Sequence, residues 1–526
     1  MEAQENDSLG MRLLKKGQKG IVHAIFSRFG ILLLLLLLQF FILFGLIFQF
    51  NEYFPQYTGI TTILSLLVML YLLNSDINPT AKITWLIIMM IVPVAGALLF
   101  VFTQMEFGHR ALRSRLGQLI KDTHIAILQD ETVLEEVEKE APEVVALTHY
   151  LNRSGCFPIY DGTEVTYLPS GERKFEELLL QLKEAKHFIF LEYFIIDEGL
   201  MWGKVLEILK EKADAGVEVR VMYDGTCEFN LLPHDYPKRL AKLGIKCKAF
   251  APVSPFVSTH YNYRDHRKIL VIDGHTAFTG GINLADEYIN RIKRYGHWKD
   301  VSVMLKGEAV KSFTLMFLQM WNVEEKQPEF YKFLNYSTGE RKNAKGYVLP
   351  YGDWPLDKDK AGESVYIDIL NHARKYVHIM SPYLILDGEM EHALKYAAKR
   401  GVDVKIILPG IPDKMAPYAL AKTHYKALVE AGVKIYEYTP GFVHAKVFIS
   451  DDCKAVVGTI NLDYRSLYHH FECAAYLYKV ECIGEIEQDF QETLKKCHRV
   501  TKKDIINEKL SYRIVGSLMK IVAPLL

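Results

Sequence analysis

One spacing of residues occurs twice in this chain and constrains it more than any other feature. His266-x-Lys268 is followed by Asp273, Gly280, Gly281 and Asn283, and His444-x-Lys446 by Asp451, Gly458, Thr459 and Asn461. Counted from each His, the offsets are 2, 7, 14, 15 and 17 in both places. Five shared offsets are not a chance match. The surroundings repeat too. Residues 186–194 resemble 374–384, and Ala215-Gly216-Val217 resembles Arg400-Gly401-Val402. Likewise, Leu243-Gly244-Ile245-Lys246 resembles Ala431-Gly432-Val433-Lys434. The last two pairs lie 185 and 188 residues apart. A repeat of that length means two copies of one domain, not a solenoid.

Within each copy, apolar β-rich runs alternate with amphipathic runs. Residues 187–196 and 217–224 read as buried strands. Residues 175–185 and 202–215 read as helices, the second stopped by Gly216. This order predicts α/β domains whose mixed, mostly parallel sheets are flanked by helices. The first domain is expected over residues 150–335 and the second over 336–508, related by a pseudo-two-fold axis.

The repeated spacing has a chemical reading. Residues i and i+2 of a strand share a face, so each His projects with its Lys. Asp273-Gly274 and Asp451-Asp452 are turn signals. The next strand, 276–279 or 455–457, returns to Gly and Asn beside the His–Lys pair. Each hairpin thus gathers imidazole, ammonium and carboxamide at one end. Two such sets facing each other suit a phosphodiester. Lys268, Lys446, Asn283 and Asn461 would orient the non-bridging oxygens as charge develops. One His would attack phosphorus and the other would protonate the departing oxygen. A metal is not expected, because Lys is a poor ligand and no His-x3-His or paired His–carboxylate spacing surrounds either site. The adjacent His469 and His470 read as structural.

The front of the chain is different. Stretches 29–51, 53–75 and 83–105 contain no charged residue and are 23 residues long each. About 20 apolar residues suffice for a membrane-crossing helix. They are read as three transmembrane helices over 29–106, after a basic segment 1–28. The first is too long for a signal-peptide core, and further apolar stretches follow it. Six basic residues on one side of the spans and four on the other would put the large domain outside. All seven cysteines lie in that domain, an odd number without C-x-x-C spacing, which suggests free thiols and a reducing or oxygen-free setting. The two clues point to opposite sides. Residues 107–149, with Glu131, Glu135, Glu136, Glu138 and Glu140, read as a solvated connecting helix. In the tail 509–526, Ile514, Leu518, Ile521 and Leu525 recur at helical spacing opposite Arg513 and Lys520, an amphipathic pattern. Basic and acidic residues number 63 each, so no bulk positive charge invites nucleic acid.

From about residue 150 onward, the chain resembles the phospholipase D superfamily, marked by a duplicated H-x-K-x4-D. Further segments narrow the likeness. They are Asn262-Tyr263-Arg264-Asp265 before His266, Glu287-Tyr288, Trp298-Lys299-Asp300, Asn461-Leu462-Asp463-Tyr464-Arg465-Ser466 and Phe471-Glu472. The apolar segment Asn78-Pro79 to Phe100 and the final Ala523-Pro524-Leu525-Leu526 are also similar. Together these resemble the bacterial cardiolipin synthases. The resemblance implies a phosphatidyltransferase of the bacterial cell membrane, using no cofactor. Its partners would be phosphatidylglycerol and an anionic phospholipid bilayer. It assigns the nucleophile, as a phosphohistidine, to His266 and the general acid and base to His444. Lys268, Lys446, Asn283 and Asn461 would bind phosphate, with Thr459 as a donor behind them. Asp273 and Asp451 complete the catalytic motif but are expected to support the hairpins. Asp300 and Glu472, at 34 and 28 residues past their own motif His, would each orient that imidazole. Two departures are the extra leading span and Asp265, where Asn is usual. The motifs do not choose the acceptor. Water in place of the second lipid would make a phospholipase D, and another alcohol a related transferase.

Overall fold

The computed structural model describes residues 58–91, 93–104, 109–252, 263–336, 343–357 and 359–525, together with Gly45. The first apolar stretch, 29–51, otherwise lies outside the described residues.

The first copy builds its sheet from β1 (Glu164–Leu168), β2 (Phe188–Tyr193), β3 (Glu218–Asp224), β4 (Lys246–Phe250), β6 (Lys268–Ile272), β7 (Thr276–Gly280) and β9 (Ser302–Lys306). Their order is β1-β9-β7-β6-β2-β3-β4. Two short strands stand outside it, β5 (Arg264–Asp265) and β8 (His297–Lys299). The second copy uses β10 (Tyr347–Asp353), β11 (Tyr376–Met380), β12 (Asp403–Pro409), β13 (Lys434–Tyr438), β15 (Val447–Ser450), β16 (Lys454–Gly458), β17 (His470–Tyr478) and β18 (Cys497–Arg499), with β14 (Gly441–Val443) apart. Its order, β10-β17-β16-β15-β11-β12-β13-β18, repeats the first with one strand added.

Only β2-β3-β4 and β11-β12-β13 pair in parallel; every other neighbour within these two sheets is antiparallel. The expectation of mostly parallel sheets is therefore corrected. Helical crossovers such as Leu200–Asp214 give parallel neighbours, but each motif hairpin and its following strand add antiparallel ones. All six residues of β2 are buried, as a strand covered on both faces requires.

One core joins the copies. Ile269, Val271, Val303 and Leu305 belong to the same buried cluster as Val447, Val457, Ala475 and Leu477. Helix Val310–Trp321, apolar on nearly every side, is buried in that cluster. The segment read as one solvated connecting helix is instead three helices, His109–Thr123, Glu131–Glu140 and Pro142–Gly155. Asp130 caps the second and Pro142 opens the third. Their glutamates face outward while Val133, Val137, Leu147 and Leu151 enter the shared core.

The second and third apolar stretches fold as helices Thr58–Asn74, Pro79–Ile91 and Pro93–Gln104. No helix among the described residues is long and apolar enough to cross a membrane. The longest of these three has 17 residues, about 26 Å at 1.5 Å per residue against a hydrocarbon core of about 30 Å. The third stretch doubles back. A Cβ on Gly96 would lie 2.9 Å from the Met89 Cα, whereas seven residues along one straight helix separate by about 10 Å. Val68, Leu72, Trp85, Met89, Ala97 and Phe100 form a small core between these helices. Ile63, Leu66, Leu67, Leu70, Ile83, Ile91, Leu98 and Leu99 remain exposed. The tail is helix Leu510–Val522, which packs through Gly516 against the Ala419 carbonyl. Its Ile514, Leu518 and Ile521 stay exposed. Thr84 Oγ1 donates to the Ile521 carbonyl at 2.6 Å, which ties the apolar helices to the tail.

Candidate active site

Two short pairings between the copies place the histidines. Strand β5 runs parallel to the start of β17, with Asp265 opposite Phe471. Strand β14 runs parallel to β8, with Val443 opposite Lys299. The residue before each motif His thus pairs with the residue before an acid of the other copy. His266 N donates to the Phe471 carbonyl at 2.9 Å, and His444 N to the Lys299 carbonyl at 2.7 Å. The side chains follow. His266 Nδ1 faces the two oxygens of Glu472 at 2.9 and 3.0 Å. His444 Nδ1 faces Asp300 Oδ2 at 2.7 Å. The sequence expectation gave each acid to its own motif; the structure exchanges them, because the bridging strands run between copies. A carboxylate accepts, so Nδ1 of His266 donates to Glu472 and its Nε2 is left for chemistry; Nδ1 of His444 lies within reach of both Asp300 and the Lys446 ammonium, the latter at 2.9 Å.

Both imidazoles line one cleft of about 910 Å³ between the copies, with Asn283 and Asn461. Asn283 is fixed by the Ile195 amide (3.0 Å) and donates to the Tyr288 hydroxyl (2.6 Å). Among the described residues the buried Asn461 Oδ1 has no protein partner, an acceptor open to a ligand donor. Lys268 and Lys446 are buried behind the cleft wall. Each ammonium donates to the carbonyl of its own motif His, at 2.6 Å for Lys268. Thr459 and Ser466 donate to Glu472. Asp273 and Asp451 sit at the far ends of their hairpins. Asp273 accepts from the amides of Lys186, His187 and Phe188, all at 2.7 Å. Asp451 accepts from Arg374, Lys375 and Tyr376 at 2.7–2.9 Å. They clamp the start of β2 and β11 and do not reach the cleft. Asp265 accepts from Arg267 Nε at 3.2 Å, and that buried guanidinium also pairs with Glu192. A carboxylate here, in place of the usual amide, supplies the guanidinium with charge.

Burial, then the Lys268 charge, pushes His266 well below the usual imidazole range. Burial and Lys446 push His444 down to about 4. Burial thus favours the neutral form of both rings. Burial lowers Lys268 to about 8 and Lys446 to about 7, against the pull of Glu472 and Asp300 respectively. Burial works to raise Asp300, but His444 and Lys446 outweigh it and hold the carboxyl below its ordinary value. Burial raises Glu472, with Lys268, Thr459 and Ser466 opposing.

Residues 178–321 and 366–494 match the family described as cardiolipin synthase, PLD-like domain. The chain belongs to the bacterial cardiolipin synthase family of the phospholipase D superfamily. It is 34% identical over 454 residues to cardiolipin synthase 2 of Bacillus anthracis, covering 85% of this chain and 87% of that one. It is 33% identical over 473 residues to the cardiolipin synthase of Halalkalibacterium halodurans, covering 88% and 92%. An uncharacterized protein of Streptococcus mutans is 58% identical over 458 residues, covering 87% and 99%. The crystal structure of phosphatidylserine synthase from Haemophilus influenzae has the same fold, with a TM-score of 0.52 at 16% identity over 69% of this chain and 93% of that one. As a member of this family, the chain is a phosphatidyltransferase acting on phospholipids.

The family's motif residues do not exhaust the site. His470, read from sequence as structural, lines the cleft with its ring 5.4 Å from His266. Phe194 and Tyr288 meet His266 and His444 edge-on at 4.9 and 5.4 Å. Lys174 is buried and donates to the Ile282 carbonyl at 2.9 Å; in the other copy Tyr366 OH donates to the Ile460 carbonyl at the same distance. Both hold the turn that presents the asparagine. Only the alignment of the copies could have exposed this pair, since the donor types differ. His266, His470 and Glu472 could each offer one atom to a metal, within 4.8 Å of one another. Glu472 already accepts from Thr459, Ser466 and His266, however, and two buried ammonium groups add positive potential. That environment suits an anion better than a cation.

Proposed function

We propose that this enzyme moves a phosphatidyl group from one phosphatidylglycerol to another, giving cardiolipin and glycerol. Nε2 of His266 attacks phosphorus, and the bond to the headgroup oxygen breaks. Glycerol leaves with a proton from His444. His444 regains that proton from a headgroup hydroxyl of a second phosphatidylglycerol. The hydroxyl oxygen then attacks phosphorus, the P–N bond breaks and His266 is restored. One phosphodiester replaces another, so no energy source is needed. The assignment of nucleophile and acid to His266 and His444 follows the family resemblance. Asn283 and Asn461 contact the non-bridging oxygens, and Lys268 and Lys446 supply positive field from behind. An anionic phosphodiester between the rings offsets the lysines and raises the proton affinity of His444, as its acid role requires.

The single observation that carries this reading is the pair of imidazoles on one cleft, each held through Nδ1 by the other copy's acid. We further place the enzyme on a phospholipid bilayer of the cell membrane, with the apolar N-terminal stretches as its anchor. Met519 of the tail helix and Ala523 just after it line the cleft, while Ile514 and Leu518 of that helix are exposed. This exposed apolar face of the tail, next to the cleft lining, supports the placement. The test is purified full-length enzyme in phosphatidylglycerol vesicles. Glycerol and cardiolipin are expected in equal amounts, and phosphatidic acid as the sole lipid product would sink the transferase reading.

A further inference from the structure

Each acid that holds an imidazole is preceded by an arginine of the cleft wall. Arg294 stands six residues before Asp300 and Arg465 seven before Glu472. The transfer steps above use neither. Arg294 belongs to the His444 end. Its guanidinium lies 5.5 Å from the centre of the Tyr295 ring. Tyr295 lies 6.4 Å from Trp298 and 6.3 Å from Phe442, and those rings lie 5.3 and 5.9 Å from His444. Lys414 lines the same end from the loop after β12. That loop is fixed to β14 by Ile411 N donating to the Gly441 carbonyl at 3.2 Å, and to the cleft wall by Tyr383 OH donating to Asp413 at 2.8 Å. Each cation keeps only a distant or loose counter-charge, and Glu287 of the same wall is the carboxylate that feels Arg294. Among the described residues Arg294 has no carboxylate within ion-pair distance, and Lys414 has only its neighbour Asp413 at 3.8 Å.

An in-line displacement puts the leaving oxygen opposite the attacking nitrogen. With His266 attacking, glycerol departs at the His444 end and the acceptor enters there. A phosphatidylglycerol acceptor differs from glycerol or water in one respect that protein charge can read. It carries its own phosphate, a three-carbon link away from the reacting hydroxyl. Bringing that anion beside the first phosphate is repulsive unless cations stand at its position. Resting on the transferase reading, we propose that Arg294 and Lys414 form an acceptor-phosphate subsite. It selects a second anionic phospholipid over water and free alcohols. Trp298, Tyr295 and Phe442 set the spacing between this subsite and His444.

One intermediate serves two measurable reactions. Labelled glycerol exchanging into phosphatidylglycerol uses a neutral acceptor, and cardiolipin formation uses an anionic one. Both are followed in the same vesicles for wild type, Arg294→Gln, Arg294→Lys, Lys414→Gln and Arg465→Gln. The ratio of cardiolipin formed to glycerol exchanged should fall about tenfold or more in Arg294→Gln, the size expected for losing a charged hydrogen-bond partner. It should fall severalfold in Lys414→Gln and recover most of the way in Arg294→Lys. A ratio unchanged in Arg294→Gln overturns the proposal, as does an equal drop of both reactions. So does a ratio lowered by Arg465→Gln alone. A wild type that exchanges no glycerol and makes no cardiolipin overturns the transferase reading itself, a separate result visible before any variant is compared.

Discussion

Glu472 of the second copy accepts the hydrogen bond of His266 from the first, at 2.9 Å, and Asp300 of the first copy does the same for His444. Neither copy therefore holds a complete site. Each supplies one imidazole to the cleft and the carboxylate that holds the other copy's imidazole, which ties the duplication to the assembly of a single site.

Replacing either acid by its amide should disable the ring of the opposite copy. An amide can donate to Nδ1 and so stabilise the tautomer with its proton on Nε2. Glu472→Gln and Asp300→Asn are each expected to lower kcat about 100-fold or more. The melting temperature should change little, because a buried carboxyl is exchanged for a neutral isostere. Losses below threefold would remove the orienting role.

His266→Ala and His444→Ala should each abolish turnover, because each ring acts in both half-reactions. The two are separable by trapping. With a donor whose leaving group needs no proton, His444→Asn should accumulate a phosphatidyl adduct on His266, seen by intact mass. His266→Asn should show none. An adduct found on His444 instead would reverse the assignment.

The motif aspartates should prove structural. Asp273→Ala leaves three backbone N–H groups without their acceptor and puts alanine at φ 52°, as Asp451→Ala does at φ 54°. Each is expected to cost about 3 kcal/mol, read by chemical denaturation. The folded fraction should keep its specific activity, and a selective loss of kcat at unchanged stability would contradict the clamp role.

The alkaline side of the pH profile should belong to the lysines. An ammonium acts only while protonated, so its contribution is present below its pKa and is lost as pH rises through it. With Lys446 lowered to about 7 and Lys268 to about 8, kcat/KM should fall across that window. Lys446→Arg keeps its charge and should move the descending limb upward by about one unit or more, measured from pH 5 to pH 10. A limb that does not move would exclude Lys446 as its source.

Membrane contact should depend on the tail's outer face. Ile514 and Leu518 are 52% and 61% exposed, so changing both to Asp costs no core packing. Binding to anionic vesicles should weaken, and activity on vesicles should drop more than activity on detergent-dispersed lipid. An equal drop in both would point to damage at the cleft instead.

Much of the site was legible because its spacing lies within single hairpins. Turn chemistry predicts that each hairpin brings its Asn back toward its His, and His266, Asn283, His444 and Asn461 do line one cleft. The histidines fall between strands, however, and Lys268 and Lys446 lie behind the wall, where strand alternation alone would have set them beside the rings. What crosses between copies was not legible. Nothing local says that Phe471 pairs with Asp265, so the acids were given to the wrong histidines. His470 looked structural because its role depends on facing His266 across that pairing. The glutamate-rich segment 131–140 looked solvated because its charges outnumber Val133 and Val137, the two residues that reach the core.

The sequence alone determined the duplication, the repeated His, Lys and Asn spacing that marks the phospholipase D superfamily, and the apolar character of the front and tail. These rest on residue type and on contacts a few positions apart, which backbone geometry fixes. Only the tertiary structure decided which carboxylate orients which imidazole, that the sheets are mainly antiparallel and that the third apolar stretch doubles back. It also placed Arg294, which has no ion pair among the described residues, at the His444 end of the cleft. Those outcomes depend on how two sheets dock and how helices pack, where side-chain shape over hundreds of residues, not periodicity, sets the minimum.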